Sequence, residues 1–160
     1  KERRIARDSA LAATTSIETV SSRGHRFSEE ISSLPIVLGN YVEVRDGKTE
    51  KFDIESFNHG SATRKVIAIF NEIGLGDDLM RARDGRNIRA GKGTMRGRVH
   101  KTPKSILLVV KEKSGLAHAA RNLPGVDVVA ARDLCAEDLA PGGAIGRLTV
   151  FTKDAVEALN

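Results

Sequence analysis

Apolar residues recur along this chain in two different rhythms, and the stretch where neither holds divides it. Over residues 1–14, Ala6, Ala10 and Ala13 fall at spacings of four and three, and Ile17 and Val20 continue the stripe, which predicts a helix with one narrow, small-sided face. Thr15, with Glu18 three positions on, offers a capping box at which that helix breaks and restarts before Arg23-Gly24 ends it. Leu34–Leu38, LPIVL, is an apolar run bounded by Ser and by Gly-Asn, and it reads as a buried strand with Pro35 near its beginning. In the next stretch, YVEVRDGKTEKFDI, Asp46-Gly47 makes a two-residue hairpin turn. Counting outward pairs Arg45 with Lys48, Val44 with Thr49 and Tyr41 with Phe52, a small peripheral hairpin over 41–54. Val66, Ile69, Phe70 and Ile73 return to the helical period, with Ser61 as a cap candidate and Gly74 as the stop. Asp77 then caps a shorter helix, DDLMRAR, whose cationic last turn complements the helix dipole.

The final third alternates. Ser105–Val110 (SILLVV) is a continuous apolar strand, followed by a helix from Ser114 to Leu123 with Leu116, Ala119, Ala120 and Leu123 on one face, closed by Pro124-Gly125. Val126–Ala131 is a second strand, Asp133 caps a short helix running through Leu139, and Pro141-Gly142-Gly143 ends it. Arg147–Phe151 is a third strand, and Thr152 caps a last helix carrying Val156 and Leu159. Strands that are apolar throughout and separated by helices imply an α/β fold: a parallel sheet, four strands with LPIVL included, covered by helices on both faces. At 160 residues, with 40% apolar composition, one domain over 1–160 can bury about 70% of its unfolded surface.

Between these two parts lies Arg81–Lys104, RARDGRNIRAGKGTMRGRVHKTPK, where cations and glycines replace the apolar rhythm. It holds nine Lys or Arg against one acid, Asp84, a net charge of +8. The whole chain is only +5, from 26 basic and 21 acidic residues, so the remainder has 17 basic and 20 acidic residues and is mildly acidic. A charge run is usually a solvated face, but this density, the near absence of acids and the interleaved glycines favour a phosphate-backbone binder instead. Gly85, Gly91, Gly93 and Gly97 let the backbone approach a ligand, and arginine forks match phosphate oxygens, so Gly85–Lys104 reads as an irregular glycine-arginine arm. Arg3, Arg4 and Arg7 near the chain start are either a solvated charged face or a second RNA contact.

Other chemistry fails on spacing. The residue five before Gly91 is Arg86 and Lys92 is followed by Gly93, so no phosphate-cradling P-loop is present; Gly91-Lys92-Gly93 reaches Arg96 where a dinucleotide fingerprint needs glycine. His25, His59, His100 and His118 form no metal-ligand pair: His118 reads as helix surface, His59 as a loop residue, His25 and His100 as polar contacts among arginines. Glu137 and Asp138 read as a solvated first turn, and the single Cys135 as a small buried side chain in a reducing compartment. No apolar run approaches the roughly 20 residues of a membrane span, which points to a soluble intracellular protein. The start on Lys1 without a methionine suggests an upstream portion. Aromatic residues are scarce at 4%, with no Trp, which argues against stacking of bases on exposed rings.

Five segments together resemble one family: KERRIARDSALAAT, RGHRF at Arg23–Phe27, IRAGKGTMRGRVHKTPKSILLV at Ile88–Val109, AARNLPGVDV at Ala119–Val128 and EDLAPGGAIGRLTVFT at Glu137–Thr152. In this order they look like the large-subunit ribosomal protein L-four family, in its archaeal and eukaryotic branch. The resemblance implies a Rossmann-like α/β domain that binds large-subunit rRNA as a structural and assembly protein of the cytoplasmic ribosome, beside neighbouring large-subunit proteins. It implies no cofactor, no catalysis, no small-molecule substrate and no membrane. Carried over, the RNA-binding residues are Arg86, Arg89, Lys92, Arg96, Arg98, His100, Lys101 and Lys104 of the arm, with Arg3, Arg4, Arg7, Arg23 and Arg26 before it. The family's long tunnel-reaching loop has no counterpart here, and the hairpin at 41–54 is not a recognised family feature. An RNA-modifying or RNA-cleaving enzyme using the same basic groove is the competing reading.

Overall fold

A computed structural model describes residues 1–39, 41–45, 48–52 and 62–159, with backbone alone for 41–45 and 48–52. Four short strands form one parallel sheet: β1 (Ile36–Leu38), β6 (Leu107–Val110), β7 (Asp127–Ala130) and β8 (Thr149–Thr152), in the order β1-β8-β6-β7. Leu107 lies opposite both Asp127 and Thr149, so the strand starts are level along one edge of the sheet. Alternation of side chains along fully apolar strands makes two cores rather than one. Ile106, Leu108 and Val110, with Val150, face a core closed by Val66, Ile69 and Phe70 of α3 (Ala62–Glu72), Leu79 of α4 (Gly76–Asp84) and Leu116 of α5 (Gly115–Arg121). Leu107 and Val109, with Phe151, face the other core, closed by Ala10 of α1 (Glu2–Ala13), Leu139 of α6 (Ala136–Leu139) and Ala155 of α7 (Lys153–Leu159). The connection through α5 leads to the neighbouring strand, whereas the one through α6 crosses back beyond β6. Helices consequently cover both faces, as the sequence pattern predicts.

Some boundaries move for identifiable reasons. LPIVL forms only a three-residue edge strand, and Val37 is half exposed because it alternates away from the core that Leu38 joins and Ile36 packs against. The first helix does break, but α2 (Ile17–Ser22) is capped by Ser16, whose hydroxyl accepts from the Thr19 amide, while the Thr15 hydroxyl turns back to Ala12 O. Of the alanine stripe, Ala10 is buried and Ala6 exposed. Helix α4 starts at Gly76, so Asp77 lies within its first turn instead of capping it. Asp133 ends a 3-10 turn, Ala131–Asp133, and the cap of α6 is Cys135. The Cys135 amide and thiol both donate to Asp138 Oδ2, at 3.1 and 3.0 Å, which leaves the thiol exposed rather than buried. Asp138 therefore closes a cap where a merely solvated first turn is expected.

The predicted peripheral hairpin forms as β2 (Tyr41–Arg45) and β3 (Lys48–Phe52), antiparallel, with Arg45 opposite Lys48, Val44 opposite Thr49 and Tyr41 opposite Phe52. Its turn at Asp46-Gly47, the Ser61 cap and His59 lie outside the described residues.

Gly125 shows how tightly the sheet edge is assembled. It has φ +79°, its carbonyl accepts from the Ser105 amide at 2.9 Å, and a Cβ there would lie 2.5 Å from Pro103 O and 2.9 Å from Ala82 Cβ. Gly125→Ala is expected to cost about 2 kcal/mol, combining left-handed strain with backbone overlap. A urea midpoint equal to that of the parent chain would refute this.

Candidate nucleic-acid interface

The glycine-arginine stretch is a hairpin, where the sequence reading expects an irregular arm. β4 (Asn87–Ile88) and β5 (His100–Lys101) pair antiparallel, with Ile88 opposite His100, and the Arg89 amide extends the ladder by donating to Val99 O at 2.9 Å. Four further bonds knit the tip. The Thr94 amide and hydroxyl donate to Gly91 O at 3.3 and 2.6 Å, and the Arg96 and Arg98 amides donate to Gly93 O at 3.2 and 3.0 Å. Gly91 and Gly97 adopt φ +92° and +74°, which the tight reversal requires and which side chains resist. Glycine here defines a turn and does not leave the backbone loose.

Exposure separates the cations. Arg86, Arg89, Lys92, Arg96, Arg98, His100 and Lys101 are all exposed. Among the described residues, the side chains of Arg86, Lys92, Arg96, Arg98 and Lys101 have no hydrogen-bond or ion-pair partner; Arg89 Nε donates to His100 O at 3.1 Å, bracing the ladder. Thus the cations of the tip reach solvent while its backbone is fixed.

The root is built differently. Asp78, fully buried in the first turn of α4, accepts from the Arg26 amide (3.0 Å), Arg81 Nε (2.8 Å) and Ser105 Oγ (2.6 Å), and lies 3.1 Å from His25 Nδ1. Burial pushes its carboxyl upward, but the hydrogen bonds from His25, Arg81 and Ser105 outweigh that and hold it well below the usual carboxylate range. Arg81 reaches on to Lys104 O at 2.9 Å, so one carboxylate joins the segment before β1, helix α4 and the segment that leads from the hairpin into β6. Beside it, Asp127 Oδ2 accepts from both Lys104 Nζ and Arg147, each at 2.6 Å. Burial again acts upward on Asp127, and the two cations more than reverse it. Arg147 is 1% exposed and also donates through Nε to Ser105 O (3.1 Å) and through the second arm of its fork to Asp138 O (2.8 Å).

All of this sits at the starts of the parallel strands. Rossmann-type sheets take nucleotides at the opposite edge, beyond the strand carboxyl ends. In this molecule that opposite edge carries surface ion pairs, Lys113 with Asp133 and Arg132 with Glu112. Among the described residues, no three His, Cys, Asp or Glu side chains gather as metal ligands, and no helix is long and apolar enough to cross a membrane.

A sequence profile described as the ribosomal protein L4/L1 family matches residues 1–160. The chain belongs to that family. It is 47% identical over 159 residues to the large ribosomal subunit protein uL4 of Methanocaldococcus jannaschii, covering 99% of this chain and 56% of that protein. Identity is 45% over 159 residues to its counterpart in Thermoplasma acidophilum, again 99% and 56%, and 43% over 157 residues to that of Halobacterium salinarum (strain ATCC 29341 / DSM 671 / R1), 98% and 56%. The chain thus spans about half the length of the curated relatives it matches.

In this L4/L1 family member the remaining sequence candidates separate by location. Arg26 is exposed and anchored through its amide to Asp78 at the hairpin root. Arg23 is half-buried, its guanidinium committed to the carbonyls of Pro141, Ala144 and Ile145 in the Pro-Gly-Gly loop. Burial, then the nearby Arg147 and Arg81, lower its pKa. Lys104 is exposed yet paired with Asp127. Arg3, Arg4 and Arg7 lie on α1, against α6 on the other face of the sheet from α4, where they line a groove of 460 Å³ with Leu134, Cys135 and Ala136. His25, read as a polar contact among arginines, is buried against Asp78, and its Nε2 has no partner among the described residues. Asp78 and Arg147 are not among the sequence-predicted site residues. The second of two adjacent acids at a helix start and a lone arginine heading an apolar strand both look like solvated termini until the chain closes around them.

Proposed function

We propose that this chain is the rRNA-binding body of a large-subunit ribosomal protein, a structural and assembly component of the cytoplasmic ribosome without catalytic activity. It acts as one unit over 1–160, with large-subunit rRNA and neighbouring large-subunit proteins as its partners. The observation that carries this reading is the hairpin: five exposed cations, unpartnered among the described residues, on a backbone fixed by hydrogen bonds and rooted through the buried Asp78 and the partly exposed Asp127 in a mildly acidic body. Arg86, Arg89, Lys92, Arg96, Arg98, His100 and Lys101 form its phosphate-facing surface, Lys104 and Arg26 its flank, and Arg3, Arg4 and Arg7 a second contact on α1. Arg23 acts through the loop it braces. Family membership supports the same conclusion.

The test is binding of the purified chain to a large-subunit rRNA fragment across a salt series. If about six cations meet phosphates, affinity falls by orders of magnitude between low and moderate salt. Replacing Arg96 and Arg98 by Ala is expected to weaken binding and reduce the salt slope by about 2, with the thermal unfolding curve unchanged. An unaltered slope would refute the hairpin assignment. Turnover of RNA by the intact chain would overturn the non-catalytic reading.

A further inference from the structure

The hairpin carries an apolar residue that charge binding does not explain. Met95 is 81% exposed, the most exposed large apolar side chain among the described residues. It occupies the tip between Lys92 on one side and Arg96 and Arg98 on the other. Four bonds lock Thr94, Arg96 and Arg98 onto the Gly91 and Gly93 carbonyls, so the turn that carries the exposed Met95 side chain has a fixed backbone. The flanking glycines leave further space, since a Cβ at Gly91 or Gly97 would meet nothing within 4 Å.

We propose that Met95 is a wedge that seats against an unstacked base of the bound RNA, while Lys92, Arg96 and Arg98 hold the phosphates around it. This deepens the rRNA-binding reading and rests on it. An unbranched thioether is long, flexible and polarisable, and gains from contact with aromatic faces. Methionine is also among the apolar side chains that proteins insert between base steps. The chain has no Trp and few aromatic residues, and Met95 is the exposed apolar group at the tip of this hairpin, whereas Ile88 and Val99, 70% and 41% exposed, lie lower, on or beside its paired strands. The required partner is RNA with a bulged or looped nucleotide. A continuous A-form duplex keeps its bases stacked behind a deep, narrow major groove that side chains cannot read.

The experiment uses the full 160-residue chain and two RNA stems of equal length, one fully paired and one carrying a single bulged 2-aminopurine. The parent chain is expected to bind the bulged stem more tightly and to change the 2-aminopurine fluorescence on binding. Met95→Ala is expected to weaken binding to the bulged stem by about tenfold, leave the paired stem and the salt slope unaltered, and abolish the fluorescence change. Met95→Leu, which keeps the apolar bulk, retains most of the preference. Equal losses on both stems, an altered salt slope, or a parent chain that binds the bulge without a fluorescence change would each overturn the wedge while leaving rRNA binding intact. Failure of the parent chain to bind either stem or any large-subunit rRNA fragment would overturn both.

Discussion

Asp78→Ala is expected to destabilise the folded chain by about 3–5 kcal/mol, the scale for removing one partner of a buried charge cluster. Three consequences combine. The part-buried Arg26 amide loses its carboxylate acceptor and the buried Ser105 hydroxyl is left with only the longer contact to Asp78 O at 3.4 Å, Arg81 loses the carboxylate that aims it at Lys104 O, and His25 is left buried with neither ring nitrogen engaged by an acid. Chemical denaturation measures the loss. The same residue makes stability pH-dependent, and its sign follows from the direction of the shift. Because the folded carboxyl is held below its ordinary value of about 3.9, its stabilisation is fully present above that value and disappears as pH falls toward the folded one. The parent chain should therefore lose stability steeply below about pH 4. Asp78→Asn, similar in shape but not ionisable, should start lower and show a flatter acid limb; parallel profiles for the two proteins would refute the assignment.

Arg147→Ala is expected to cost a similar amount, about 3–5 kcal/mol, for a different reason. The guanidinium is a three-way connector between segments far apart in sequence: Ser105 O ahead of β6, Asp138 O in α6 and the Asp127 carboxylate at the head of β7. Removing it strands two carbonyls and leaves a cavity at the sheet edge. Arg147→Lys retains a charge for Asp127, but a single ammonium lacks the planar fork that meets three acceptors in different directions, so less than half the stability should return. Urea unfolding of the two variants checks both statements, and full recovery with Lys would show that charge alone matters at this position.

These two residues mark where sequence and structure part. Strand β6 and helix α3 are legible because Leu107–Val110 is an unbroken apolar run of strand length and the stripe Val66, Ile69, Phe70 follows the helical period. Pairing of Arg45 with Lys48 follows from counting out of a turn. Caps are less legible. Ser16 replaces Thr15, and Cys135 replaces Asp133, because which of several neighbouring polar groups accepts the helix amide depends on the angle at which the chain arrives. The candidate interface was legible as a charge anomaly, since local composition alone carries it. Its hairpin form was not: β4 and β5 have two residues each, too few for any periodic signal.

By itself, then, the sequence determined an α/β chain with helices on both faces of a parallel sheet, and a basic segment of net charge +8 set into an acidic remainder. Those properties are sums and repeats over neighbouring residues, and neighbours suffice to read them. Tertiary structure alone decided which cations are free and which are structural. Arg96 and Arg98 stand in solvent at the tip, while Arg23, Arg81 and Arg147 are committed to carbonyls and carboxylates brought from elsewhere in the chain. An arginine's partners are set by which distant segments meet it, and desolvation at that meeting point separates a load on the fold from a contact offered to RNA.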